Sequence, residues 1–124
     1  MVPVIRHAEA RDVWDCAREM RRVSQAARDK TATSEELSGS TITITSLGAQ
    51  GGLGATPIIN HPEVAIIGVH KAEERAVVRD GAIVVRHMMN LSGSFDHRIV
   101  DGYNGAQMMQ TLKQRLEHPA TIFM

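Results

Sequence analysis

The sequence predicts an α/β sandwich in which helices cover a mixed sheet. Three observations carry that expectation. Apolar residues recur at helical spacing over residues 9–29 and again over 104–116. Between these stretches, residues 41–45 alternate strictly and residues 64–69 form a near-continuous apolar run, the patterns of half-buried and fully buried strands. Asp80-Gly81, set between two apolar-rich segments, is the signature of a two-residue hairpin.

Taken in order, residues 2–5 (Val-Pro-Val-Ile) read as a short strand, which Pro3 confines to an edge or a strand start. Residues 9–29 read as a helix with Val13, Ala17, Met20, Val23 and Ala27 as its apolar stripe. Arg11, Asp15, Arg18, Arg22 and Arg28 lie largely off it. Cys16 borders the stripe, either as a small half-buried side chain or, if its pKa were depressed, as a reactive thiol. Residues 30–39 are a polar connector in which Ser34-Glu35-Glu36-Leu37 suggests a short capped turn of helix. Over 41–45 the isoleucines take one face and the threonines the other. Gly48, Gly51, Gly52 and Gly54 form a loop able to bring backbone close to a ligand or another chain. It is not a dinucleotide fingerprint, because the spacing is wrong and Pro57 blocks a following helix; the Gly-Lys-Ser/Thr of a P-loop is missing too. Asn60-His61-Pro62 reads as a turn and 64–69 as a strand buried on both faces. Residues 76–79 and 82–86 form the hairpin arms, the second continuing through Met88 and Met89 towards Leu91. Residues 104–116 form a closing helix, striped by Ala106, Met109, Leu112 and Leu116 and ended by Pro119.

At 124 residues the chain is one domain in size, long enough to bury roughly two-thirds of its unfolded surface. Aromatics are confined to Trp14, Phe95, Tyr103 and Phe123, so the core must be aliphatic, helped by seven methionines. The net charge is zero, which argues against a nucleic-acid partner. A single cysteine allows no intramolecular disulfide and suits a reducing compartment. With no signal peptide and no apolar run of about 18 residues, the chain reads as soluble, without a membrane span.

The chemistry concentrates in Ser94-Phe-Asp-His-Arg-Ile-Val-Asp-Gly102. His97 falls at a strand-to-helix junction, where an imidazole can reach solvent or ligand while its backbone is held. An ordinary imidazole titrates near 6.5 and a thiol near 8.5, so the proton transfer between them costs only about 2.7 kcal/mol. A histidine can therefore activate a thiol unaided. A serine hydroxyl is much harder, and no Gly-x-Ser-x-Gly elbow is present, which weakens a hydrolase reading. On residue type alone a lone loop histidine is more often structural or merely solvated. Asp101 could simply cap the last helix, and Asp96 and Arg98 could be solvated or paired with each other. His97 and Asp101 lie four apart, but His61, His70 and His87 are scattered and supply no further metal ligands, so no metal is expected.

This segment resembles the Asp-His-Arg-x-x-Asp-Gly signature of the dihydrolipoamide acyltransferases, core components of the 2-oxo acid dehydrogenase complexes. The likeness extends along the chain, in the family's order. Val2-Pro-Val-Ile-Arg6, Thr41-Ile-Thr-Ile-Thr-Ser-Leu-Gly48, Thr56-Pro-Ile-Ile-Asn60, Pro62-Glu-Val-Ala-Ile-Ile-Gly68 and Met88-Met-Asn-Leu91 all resemble the same domain. The resemblance implies a chloramphenicol acetyltransferase-like two-layer sandwich and acyl transfer between dihydrolipoamide and coenzyme A. His97 would be the general base, Thr45 the hydroxyl that meets the oxyanion, and Asp101 a carboxylate that helps order the site. It also implies that His97 and Thr45 come from neighbouring chains of a homotrimer, assembled further into a cubic or dodecahedral core. Residues 48–54 and Ile122-Phe123-Met124 are then candidate subunit contacts. The partners would be the dehydrogenase and dihydrolipoamide dehydrogenase components, with no nucleic acid and no membrane. The location would be cytoplasmic, or the mitochondrial matrix in a eukaryote.

Thr45 and the Met88-Met-Asn90 run lean towards a branched-chain or acetyl substrate. Residues 1–124 match the C-terminal half of the family's catalytic domain; its first half, the lipoyl domain carrying the lipoyl group, and the subunit-binding domain are absent from the sequence. The alternative function is therefore a catalytically silent assembly module.

Overall fold

The computed structural model describes residues 1–123 and divides into two compact units, Met1–Thr41 and Ile42–Met124. The first is built on helix α1, Val13–Arg28. It starts later than periodicity predicts, because the Asp12 carboxylate accepts the Asp15 backbone N–H at 2.7 Å and caps it there; residues Ala8–Ala10 form a separate 3₁₀ turn. Within the stripe Val23 is buried, whereas Val13 and Met20 are exposed. Arg22 pairs with Glu19 within the helix at 2.8 Å and ties the helix to the connector through Glu36 at 2.6 Å. The expected capped turn is the 3₁₀ turn Glu35–Leu37. Its box is made one residue earlier than Ser34: Thr33 N–H donates to the Glu36 carboxylate and Glu36 N–H to the Thr33 hydroxyl. Residues 2–5 are not a strand. Pro3 has no N–H to give, and Val4 makes one backbone bond, to the Glu36 carbonyl at 2.8 Å, which starts no ladder. Cys16 is a free, half-buried thiol, with Sγ 3.7 Å from the Ala8 carbonyl oxygen.

The second unit carries the sheet. Strand β1 is Thr43–Ser46, β2 Ala65–Val69, β3 Glu73–Arg79, β4 Ala82–Met88 and β5 Leu91–Phe95. β2 is the middle strand of three, parallel to β1 and antiparallel to β5. Pairing on both sides explains its apolar run: Ala65, Ile66 and Ile67 are buried. β3 and β4 form the predicted hairpin, with Arg79 opposite Ala82. Asp80 and Gly81 both adopt positive φ, 51° and 77°, as a type I′ turn demands.

The second hairpin arm does not run on to Leu91. It stops at Met88, and Met89-Asn90 hands the chain to β5 in the other sheet. Asn90 fixes that handover. Its carbonyl accepts the His70 N–H at 3.2 Å, and its amide donates to the Leu53 carbonyl at 2.6 Å and accepts from Arg75 at 3.1 Å.

Helix α2, Gly102–Glu117, lies against β5. It begins two residues before the predicted stretch, since Asp101 caps it, and Pro119 opens a separate 3₁₀ turn Pro119–Ile122 after its end. Two glycines allow the close approach. A Cβ on Gly105 would sit 3.2 Å from the Phe95 ring, and one on Gly93 would sit 2.8 Å from that ring and 3.1 Å from the Met109 sulfur. Among the described residues no helix is long and apolar enough to cross a membrane.

Candidate active site

His97 sits in the turn between β5 and α2 and is exposed. The turn is closed from both ends. Asp96 donates its N–H to the Val64 carbonyl at 2.8 Å, beside β2, and its own carbonyl accepts the Ile99 and Val100 N–H groups at 3.0 and 2.9 Å. The Asp96 carboxylate takes the Arg98 guanidinium at 2.6 and 2.9 Å and the Arg98 N–H at 3.0 Å. That pairing holds the Asp96 carboxyl at about 2 and raises the Arg98 guanidinium. The local ion pair is therefore the correct description of these two flanking residues. Asp101 accepts the Asn104 N–H at 2.7 Å, and its carbonyl accepts the Gly105 N–H at 3.0 Å. It is the helix cap.

Asp101 also lines, with His97, Phe95, Val100 and Met109, a cavity of about 320 Å³ between β5 and α2. Among the described residues the His97 ring takes no hydrogen bond, so its unprotonated nitrogen is open to a proton donor that enters from outside.

Thr45 lies elsewhere. On β1, Thr43 gives its hydroxyl to Glu63 at 2.6 Å, and the Ser46 hydroxyl accepts the Gly48 N–H at 3.1 Å. The Thr45 hydroxyl between them has no partner among the described residues. Thr45 lines a second cavity, also about 320 Å³, with Leu47, Ile58, Ile66, Gly68 and His70. In the register, Thr45 is opposite Gly68 and Gly68 opposite Ser92, so these three share one sheet face. Gly93 and Phe95, which meet α2, point the other way. The sheet therefore separates Thr45 from His97 within one chain, and no described cavity contains both.

The scattered histidines include one that the residue pattern did not single out. His70, just past β2, is 9% exposed and shares a 2.8 Å hydrogen bond, through Nε2, with the Ser92 hydroxyl. The alternation through Ile66, Gly68 and His70 was the available signal, because it puts His70 on the Thr45 face. Among the described residues no three His, Cys, Asp or Glu side chains gather closely enough to hold a metal.

Residues 1–124 match the family model "2-oxoacid dehydrogenases acyltransferase (catalytic domain)". The chain is 59% identical, over 124 residues, to the lipoamide acyltransferase component of the branched-chain alpha-keto acid dehydrogenase complex of Pseudomonas aeruginosa, covering 100% of this chain and 29% of that protein. It is 41% identical to the dihydrolipoyllysine-residue acetyltransferase component of the pyruvate dehydrogenase complex of Staphylococcus epidermidis, again over 29% of the relative. Among solved structures, it superposes with a TM-score of 0.94 at 38% identity on dihydrolipoamide acetyltransferase of Azotobacter vinelandii, with 98% of this chain on 50% of that one. The cubic core of a pyruvate dehydrogenase multienzyme complex gives 0.94 at 37% identity, with 98% of this chain on 50% of that one. The chain thus spans under a third of these curated relatives and half of these solved chains. The mixed sheet with α2 against it is part of the same α/β acyltransferase fold, and the chain belongs to the 2-oxo acid dehydrogenase acyltransferase catalytic-domain family.

Proposed function

We propose that the chain supplies the C-terminal half of an acyltransferase domain that moves an acyl group between dihydrolipoamide and coenzyme A. His97 takes the proton from the attacking thiol. The thiolate adds to the thioester carbonyl, the Thr45 hydroxyl of a neighbouring copy donates to the oxyanion, and the imidazolium returns the proton to the departing sulfur. Asp101 acts through its cap, which fixes the turn that carries His97. The observation that carries this reading is the unpartnered pair of groups: an open imidazole and a free hydroxyl, each lining its own cavity and kept apart by the sheet. Two groups that one chain holds apart can meet across two chains, as a closed symmetric assembly permits.

Further support comes from the Azotobacter vinelandii protein, in which a serine, a histidine and an asparagine were investigated for catalytic roles. There the serine precedes the histidine, and the asparagine follows it, by the same intervals as Thr45 and Asp101 stand from His97. A homotrimer, built up into a larger core beside the dehydrogenase and dihydrolipoamide dehydrogenase components, goes with the reading. So does a cytoplasmic location, or the matrix in a eukaryote. Exposed Leu47, Leu53, Ile122 and Phe123 are apolar surface suited to subunit contacts; Met124, expected to join them, lies outside the described residues. A branched-chain acyl group is favoured by the higher identity, 59% against 41%.

The test is complementation in the complete protein. Thr45→Ala and His97→Ala chains, each inactive alone, are mixed and reassembled. Recovery of about a quarter of the sites is expected if every site takes one residue from each of two copies; no recovery would refute the shared site. A catalytically silent assembly module is the rival reading, and the partial span is what favours it. Titration calorimetry of the complete protein with coenzyme A separates the two, since a silent module takes up no heat of binding.

A further inference from the structure

Gly68 occupies the middle of the row Thr45, Gly68, Ser92. A Cβ there would lie 2.6 Å from Ser92 Oγ and 3.3 Å from His70 Nε2. The volume that a side chain at Gly68 would fill is thus taken by the Ser92 hydroxyl and, beside it, the His70 ring, folded back along its own strand. The 2.8 Å bond to Ser92 holds it there. Thr45 stands one strand across from Gly68, about 4.8 Å away, and the ring lies beside Gly68. It is nearly buried, yet it lines the Thr45 cavity.

We propose that His70, held by Ser92, is a specificity-determining residue that limits the length of acyl group admitted beside Thr45. This rests on the acyl-transfer reading above. The chemistry of the walls chooses the acyl group over the thiol arm. Leu47, Pro57, Ile58, Ile66 and Val69 are apolar, and the Ser46 hydroxyl already accepts the Gly48 N–H. An amide-bearing thiol arm would need a partner for each buried amide, whereas a hydrocarbon tail attached to a carbonyl at Thr45 needs none. A ring fixed by a hydrogen bond is a firm end-wall, because moving it leaves a half-buried hydroxyl and an imidazole nitrogen unpaired.

The experiment uses the complete protein, dihydrolipoamide as acceptor and straight-chain acyl-coenzyme A thioesters from acetyl to octanoyl. One methylene of misfit in an apolar pocket is worth about 10–200-fold. His70→Ala is therefore expected to raise the ratio of kcat/KM for hexanoyl over acetyl by about tenfold or more. His70→Phe, which restores ring volume without the polar atoms, should return the ratio towards wild type, and a purely structural histidine would not be rescued in this way. Ser92→Ala, which frees the ring, should raise the ratio by less than His70→Ala does; if His70→Ala does not fold, this variant decides the matter. An unchanged ratio in a variant that still transfers acetyl overturns the role of His70 alone. Wild-type protein that transfers no acyl group overturns the acyl-transfer reading and this inference with it.

Discussion

Thr43 donates its hydroxyl to the Glu63 carboxyl at 2.6 Å, both side chains being under a tenth exposed. The bond ties β1 to the turn before β2, two residues ahead of Thr45 on the same face. Thr43→Val keeps the shape and removes the donor. It should cost about 1–3 kcal/mol of stability, measured by urea unfolding of the complete protein. An unchanged midpoint would show that β1 is held by its ladder alone.

Removing His97 tests the base. His97→Ala should lower the rate of acyl transfer by about 10²–10⁴-fold, and Thr45→Ala by about 10²–10³-fold if its hydroxyl meets the oxyanion. Steady-state assays with both thiol substrates read each effect. Wild-type turnover in the first variant would dismiss His97; in the second it would pass the donor role to another group.

Asp101 can be split into cap and charge. Asn is as good an N-cap as Asp, whereas Ala costs about 1 kcal/mol. Asp101→Asn should therefore keep both stability and rate near wild type, and Asp101→Ala should lose both. A large rate loss in the Asn variant at full stability would mean that the charge itself takes part.

Gly93 faces the ring that lines the His97 cavity. In Gly93→Ala the new methyl would meet Phe95 at 2.8 Å and Met109 at 3.1 Å, so the ring must move. Overpacking of this kind costs about 1–3 kcal/mol, and thermal unfolding measures it. A rise in transition temperature would show slack between β5 and α2 that these distances exclude.

The Asp96–Arg98 pair sets an acid limit on the turn. The carboxyl is depressed from an ordinary 3.8 to about 2 by the guanidinium and the Arg98 N–H. A depressed carboxyl stabilises the folded turn above its ordinary value, and that contribution fades as pH falls from 3.8 towards 2. An NMR titration of the Asp96 carboxyl should show the low midpoint, and Arg98→Ala should move it up towards the ordinary value. An unmoved midpoint would place the cause elsewhere.

Much of this architecture was legible where local chemistry and tertiary need agree. Asp80-Gly81 dictates its turn by backbone sterics alone, and residues 64–69 tolerate only the middle of a sheet. The failures are places where a distant partner decides. Residues 2–5 have strand composition, but strandness needs a ladder, and Val4 finds a single carbonyl. The second hairpin arm looks continuous past Met88 because composition does not change there; Asn90 ends it through bonds to Leu53, Arg75 and His70. His97 and Asp101 stand out from residue chemistry, as a candidate thiol base and a helix cap, whereas their catalytic roles, and Thr45 altogether, come from the family resemblance. His70 went unmarked because its meaning lies in Gly68 and Ser92, the latter 22 positions along the chain.

On the proposed shared site, the position of the sheet between hydroxyl and imidazole would make turnover a property of the assembly. On progressive dilution, activity should vanish at the concentration where copies part, well before circular dichroism registers any loss of helix. Such an enzyme would be silent while newly made and solitary, and would begin work only on joining its neighbours.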